Sequence, residues 1–123
     1  MYAFTVRFRG SFDEAIARTT AELKREGFGV LTDIDVRATM KVKLGVEGRP
    51  YRILGACNPK AAHAALQAEP DIGVLMPCSV VVRGEEDGSV SVVFTDVRAL
   101  FSLVGRPDVA PLAAQVDAGL RRA

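Results

Sequence analysis

Two valine-rich segments joined by a short charged turn constrain the fold of this chain more than any other feature. The first reads Val-Val-Val at 80–82, and the second, at 90–94, has apolar residues at every second position. Between them lies the sequence GEEDG, in which Asp87 and Gly88 suit a tight turn. This arrangement predicts a β-hairpin, whose two strands are antiparallel. We therefore expect a sheet that is rich in antiparallel pairs.

The rest of the chain alternates between strand-like and helix-like patterns. Ser11 and Glu14 form the sequence pattern of a capping box, and Gly27 suits the end of the helix that follows. Asn58 is a good N-cap, and Pro59 is preorganised for the first helical position. The periodicities predict strands over 2–8, 28–35 and 51–56, helices over 12–26, 36–44, 59–67 and 108–122, and a short helix or loop turn over 97–104.

This order of elements predicts the fold class. Helices interrupt the strands without regular alternation, and one hairpin is antiparallel, so we expect an α+β fold with an antiparallel-rich sheet and helices packed on one face. Hydrophobic residues make up 49% and charged residues 25% of the sequence, as in ordinary globular domains. We expect residues 1–123 to form a single domain. A sheet with one covered face invites a second copy to cover the other, which predicts a homodimer.

Composition and charge exclude several classes of protein. No apolar stretch approaches the roughly 20 residues that span a bilayer, and the alternating N-terminal segment with Arg7 and Arg9 is unlike a signal peptide. The net charge of +1 is too small to indicate binding to nucleic acid or to a membrane surface. Two cysteines without a secretory segment suggest free thiols in a reducing compartment, so we expect a cytoplasmic protein.

The charges are nevertheless segregated along the chain. Residues 36–60 contain six Lys or Arg and one acid, whereas residues 69–96 contain six Asp or Glu and one base. Two solvated faces would explain this pattern, and so would an anion-binding site in the basic segment.

The two cysteines stand in the most informative segments. Cys57 comes just before the helix start at Asn58-Pro59, where free N–H groups would favour a thiolate or another anion. Cys78 follows Met76-Pro77 at a strand start. If the two strands are neighbours, the thiols can form a redox pair, part of a soft-metal site, or a nucleophile with its resolving partner. The alternative is that both are small buried apolar residues.

The sequence contains no conventional catalytic set. His63 is the only histidine, and a single histidine on a helix is typical of a surface position. No nucleotide-binding glycine loop, hydrolase elbow or metalloprotease motif is present. Two cysteines and one histidine fall short of the four ligands of a structural zinc site, so we assign no metal-binding residues, and the sequence identifies no cofactor.

The motifs resemble a known family. The segments KLG at 43–45, PYRILGACNP at 50–59 and LMPC at 75–78 are similar to those of the family called domain of unknown function 302. The resemblance extends to the amphipathic start and to the C-terminal helix. It implies a compact α+β fold similar to the TATA-binding-protein-like architecture, and it implies no activity. The motif positions that it marks as a possible site are Lys43, Cys57, Asn58, Pro59, Pro77 and Cys78.

Three functions remain open. The first is a dimeric binding module that holds a small anionic or thiol-reactive ligand at the N-terminus of the helix after Asn58. The second is a cysteine-based redox or catalytic protein that uses Cys57 with Cys78, although only His63 or a lysine is available as a base. The third is a structural or protein-interaction domain. The candidate ligand-binding residues are Cys57, Asn58, Pro59, Cys78, Lys43 and Lys41.

Overall fold

The computed structural model describes residues 2–123 and contains one five-stranded antiparallel sheet. The order across the sheet runs from the first strand through the fifth, fourth and third to the second, and every neighbouring pair is antiparallel. The last two strands in the chain form the predicted hairpin. The strands are β1 (Ala3–Phe8), β2 (Gly29–Asp35), β3 (Tyr51–Cys57), β4 (Cys78–Gly84) and β5 (Val90–Thr95).

The helices follow the predicted pattern with shifts at their ends. Helix 108–122 begins two residues later than predicted, because Val109 takes the N-cap position without a side-chain hydrogen bond. Segment 97–104 divides into a short helix and a 3₁₀ turn, and a second 3₁₀ turn over Pro70–Leu75 was not predicted. The helices are α1 (Phe12–Arg25), α2 (Val36–Leu44), α3 (Pro59–Ala68), α4 (Val97–Phe101) and α5 (Ala110–Arg122). Within residues 2–123, none of them has the length and apolarity that crossing a bilayer requires.

The ends of α1 are held as its sequence predicts. The Glu14 N–H donates to Ser11 Oγ at 3.1 Å, and the Ser11 N–H donates to Glu14 Oε1 at the same distance. Gly27 follows the helix with a φ of 86°, a left-handed conformation that suits glycine. These contacts fix where α1 lies on the sheet.

The sheet buries one face against the helices. Leu54, Val80 and Phe94 lie opposite one another on β3, β4 and β5, and all three are buried. The next row, Ile53 and Val81, has the opposite orientation and is only half-buried. The fold is therefore α+β with helices packed on the sheet, as the element order predicted.

A polar network holds α5 against α4 and the sheet. The buried Asp117 carboxylate accepts a hydrogen bond from the Val97 N–H at 3.2 Å and from Arg121 Nε at 2.8 Å. The Arg121 guanidinium lies 4.2 Å from the centre of the Phe4 ring, which stacks on Phe94. This network fixes α5, which forms one wall of the cavity described below.

Gly55 allows close packing in the middle of β3. A Cβ atom at this position would lie 2.7 Å from Pro77 Cγ and would also collide with Thr32 Oγ1. The absence of a side chain lets Pro77 lie against β3. Since Pro77 precedes Cys78, this contact also fixes the start of β4.

We predict that Gly55→Ala destabilises the protein by about 1–3 kcal/mol, because Thr32 and Pro77 must move to admit the methyl group. Gly29→Ala is the matched control: Gly29 is also a strand glycine, and its added Cβ would meet no atom within 4 Å. Urea unfolding measures both effects. A Gly55→Ala midpoint equal to that of Gly29→Ala would contradict this account of the packing.

Candidate functional site

The strands that carry the two cysteines are neighbours. Ala56 pairs with Cys78 across β3 and β4, and Cys57 is the next residue along β3. Strand spacing then puts the Cα atoms of Cys57 and Cys78 about 6 Å apart. The two strands are therefore neighbours, which is what the hypothesis of a shared thiol site required.

Cys57 and Cys78 line one cavity with Asn58 and Met76. Its volume is about 30 Å³, enough for one or two particles the size of a water molecule. Pockets for organic ligands usually measure about 300–1,000 Å³, so this cavity suits a much smaller guest.

Small residues on α3 create this space. Ala61, Ala62 and Ala65 form one wall, and their methyl groups leave room beside the strand ends. The opposite wall comes from α4 and α5, which contribute Phe101 and Val116. Apart from the two cysteines, Met76 and Asn58, the residues that line the cavity are consequently apolar.

Asn58 uses its polar atoms to start α3. Its Oδ1 accepts a hydrogen bond from the Ala61 N–H at 3.3 Å, and its backbone oxygen accepts one from the Ala62 N–H at 2.8 Å. Pro59 has no N–H to offer. Of the first-turn donors, only the Lys60 N–H is left for a ligand, so this helix end offers an anion few hydrogen bonds.

Burial dominates the acidity of both thiols. It raises the pKa of the Cys57 thiol, and it raises the pKa of Cys78 to about 11, with the nearby Cys57 as a second cause. The sequence predicted two opposing influences on the pKa of these thiols. The helix N-terminus lowers it, and burial raises it. In the folded protein burial acts on both thiols, and it favours their protonated form.

Lys41 and Lys43 lie elsewhere in the fold. Both are exposed on α2, and Lys41 forms an ion pair with Glu47. The strand before α2 ends at Asp35, which pairs with Arg52 at the opposite end of β3 from Cys57. The structure brings Cys57, Asn58 and Cys78 together, and neither lysine is among the residues that line their cavity.

Acidic partners take up further charges of the basic segment. Arg52 pairs with Asp33, and Arg49 Nη2 lies 3.7 Å from Glu86 Oε1. Pro59 begins α3 but does not line the cavity, and His63 is exposed on the same helix. Several basic side chains of residues 36–60 therefore form ion pairs with acidic side chains of the same chain, as is usual on a solvated surface.

Sequence reasoning missed two contributors to the cavity. Met76 adds another lining residue beside the two cysteines, and the alanines of α3 supply the space. Met76 was visible in the LMPC motif, where it was treated only as a neighbour of Pro77. Among the described residues, no group of three or more His, Cys, Asp or Glu side chains is placed to hold a metal ion.

The comparisons with known proteins identify the family. The model described as "Domain of unknown function DUF302" matches residues 4–123. The chain belongs to this family. It is also similar to an uncharacterized conserved DUF302 protein from Bacillus stearothermophilus, whose crystal structure superposes with a TM-score of 0.90 at 30% sequence identity. That similarity covers 98% of this chain and 94% of the other DUF302 chain. No curated protein matches the chain.

We predict that both thiols react with iodoacetamide at pH 7 more slowly than a free cysteine, because burial keeps them protonated. Cys57 should react first, since it is half-buried and Cys78 is buried. Peptide mass spectrometry over time measures both rates, with urea-unfolded protein as the control. Labelling of Cys78 as fast as Cys57 in the folded protein would contradict the burial order.

Proposed function

We propose that this DUF302 domain is a dimeric binding module whose cavity holds a small thiol-reactive ligand. The observation that carries the proposal is that Cys57 and Cys78, from neighbouring strands, line one small cavity. Two thiols at one site bind a ligand with two bonds, which a single surface cysteine cannot do.

The composition of the cavity favours a thiol-reactive ligand over an anionic one. Its lining residues carry no Lys or Arg in the part of the chain that the structure describes. Asn58 already accepts hydrogen bonds from two N–H groups at the start of α3. An oxyanion would lose its hydration without gaining equivalent donors, whereas a ligand that bonds to sulfur needs none.

The same features favour binding over cysteine catalysis. Neither a histidine nor a carboxylate is among the lining residues within 2–123, and burial raises the pKa of both thiols. A nucleophilic cysteine needs a base or a lowered pKa. In a cytoplasmic, reducing setting, both thiols would stay reduced and available to a ligand.

Exposed apolar side chains on α2 support the dimer. We call Val42 and Leu44 on α2, together with Val46 in the loop after it, the α2 surface; Val42 is 81% exposed and Leu44 70% exposed. No residue of α2 is buried, so the helix gains little from packing within its own chain. A second copy that presents the same α2 surface would bury both, as a two-fold dimer does.

We predict that the protein sediments as a dimer at micromolar concentration and that Val42→Glu shifts it to the monomer, because burying a carboxylate in the interface is unfavourable. Val74→Glu is the control, since Val74 is also an exposed valine but lies in the 3₁₀ turn after α3. Sedimentation of the wild type at one chain mass, or dissociation by Val74→Glu alone, would refute the α2 dimer.

We predict that methylarsonous acid, CH₃As(OH)₂, binds the reduced protein once per chain. It forms As–S bonds to Cys57 and Cys78 and releases two water molecules, so a close pair holds it far better than one thiol. Intact mass spectrometry after gel filtration detects the adduct, and Cys57→Ser and Cys78→Ser are the controls. A wild type that retains no more arsenic than either variant would exclude a shared dithiol site.

A further inference from the structure

Strand β1 has one long side without a neighbouring strand. It stands at one end of the strand order and pairs only with β5 in the part of the chain that the structure describes. The Asp96 N–H donates to the Tyr2 backbone oxygen at 2.8 Å, which marks these two residues as a hydrogen-bonded pair of the antiparallel ladder. Such pairs alternate along a strand, so the backbone N–H and C=O groups of Ala3, Thr5 and Arg7 point away from β5. They offer a row of donors and acceptors to another strand.

The two edges of the sheet differ in how they are protected against such pairing. The other edge strand, β2, is interrupted by a bulge between Val30 and Thr32 and carries two carboxylates, Asp33 and Asp35. Natural sheets use bulges and charged side chains to prevent pairing from edge to edge. β1 has an unbroken register along its six residues and carries one charged side chain, Arg7. A further strand can therefore pair at β1 more readily than at β2.

We propose that β1 pairs with β1 of a second copy of this chain, antiparallel and about a two-fold axis at Thr5, so that the two five-stranded sheets become one continuous sheet. This interface goes beyond the α2 dimer of the proposed function. β1 and β2 are opposite edges of the sheet, and α2 follows β2 along the chain. Pairing at β1 consequently leaves the α2 surface free.

The sequence of β1 is complementary to itself in this register. Thr5 lies opposite Thr5 of the second copy, and Ala3 lies opposite Arg7. The three residues whose backbone groups point outward are then all paired, and each Arg7 faces a small neutral side chain. An axis at Arg7 would instead place the two guanidinium groups opposite each other, which is unfavourable.

Apolar side chains meet on the face of the sheet that the helices cover. The same register places Phe4 opposite Val6 of the second copy, and the two-fold axis repeats this contact. Val6 is 51% exposed in the single chain, so pairing removes apolar surface from water. A groove of about 320 Å³ is lined by Phe4, Val6 and Phe8 together with side chains of α1 and α5. It gives the incoming side chains room to pack.

The size of the contact sets the concentration at which it forms. Six residues of one strand from each chain bury less than the roughly 1,200 Å² of total surface at the lower end of stable complexes. We therefore expect weak, reversible association at protein concentrations on the order of 100 µM and above. The α2 dimer is expected at micromolar concentration, so the two contacts can be measured separately.

Sedimentation equilibrium of the Val42→Glu variant tests the pairing, because this substitution removes the α2 contact. We expect a monomer at about 10 µM and a reversible dimer at about 500 µM. Thr5→Lys and Thr5→Glu, each combined with Val42→Glu, place like charges opposite each other and should weaken association about fivefold. An equimolar mixture of the two double variants should restore association, since a lysine then faces a glutamate.

Thr32→Lys in the same Val42→Glu background is the matched control. Thr32 is an exposed threonine of the opposite edge strand, β2, so its replacement should leave association unchanged. Circular dichroism checks that each variant is folded. Rescue in the mixture further separates a loss of pairing from a loss of structure, because a misfolded variant would not recover on mixing.

The possible results distinguish this interface from the α2 dimer. Val42→Glu protein that stays monomeric at about 500 µM, or that associates equally well with Thr5→Lys, would overturn the pairing and leave this edge to an extended segment of another protein. A mixture that associates no better than either double variant alone would overturn the two-fold register at Thr5. Dissociation of the micromolar dimer by Thr5→Lys but not by Val42→Glu would refute the α2 dimer and support pairing at β1.

Discussion

The pairing of β3 with β4 is the constraint on which the candidate site depends. Ala56 lies opposite Cys78, and this register brings the end of one strand beside the start of the next. Gly55 allows Pro77 to pack directly on β3, which holds the start of β4 in place. A slip of one residue would turn the Cys78 side chain away from the face of the sheet that the helices cover. The position of the second thiol is therefore a consequence of backbone pairing.

The helices close the space beside these paired strand ends. Asn58 starts α3 immediately after Cys57, so the alanines of α3 face the strand ends. The buried Asp117 carboxylate holds α5 to α4, and these two helices close the opposite side. The resulting burial raises the pKa of both thiols, so a ligand that bonds to sulfur must displace their protons. It is poorly suited to a nucleophile that must be ionised when the site is empty.

Local patterns predicted most of the elements, and long-range pairing was beyond them. Ser11, Asn58 and the alternating valines gave the helix starts and the hairpin, since caps and periodicity act over a few residues. Whether β3 and β4 lie next to each other depends on how the whole sheet assembles. Lys41 and Lys43 were grouped with the cysteines because they are near in sequence, whereas α2 starts at the other end of β3. Met76 was overlooked because a lone methionine gives no periodic signal.

A crystal structure of the reduced protein with methylarsonous acid tests the central claim most directly. The account predicts one arsenic atom per chain, inside the cavity and within bonding distance of the sulfur atoms of both Cys57 and Cys78. A map with arsenic only at surface positions, or with the two sulfur atoms on opposite faces of the sheet, would contradict it.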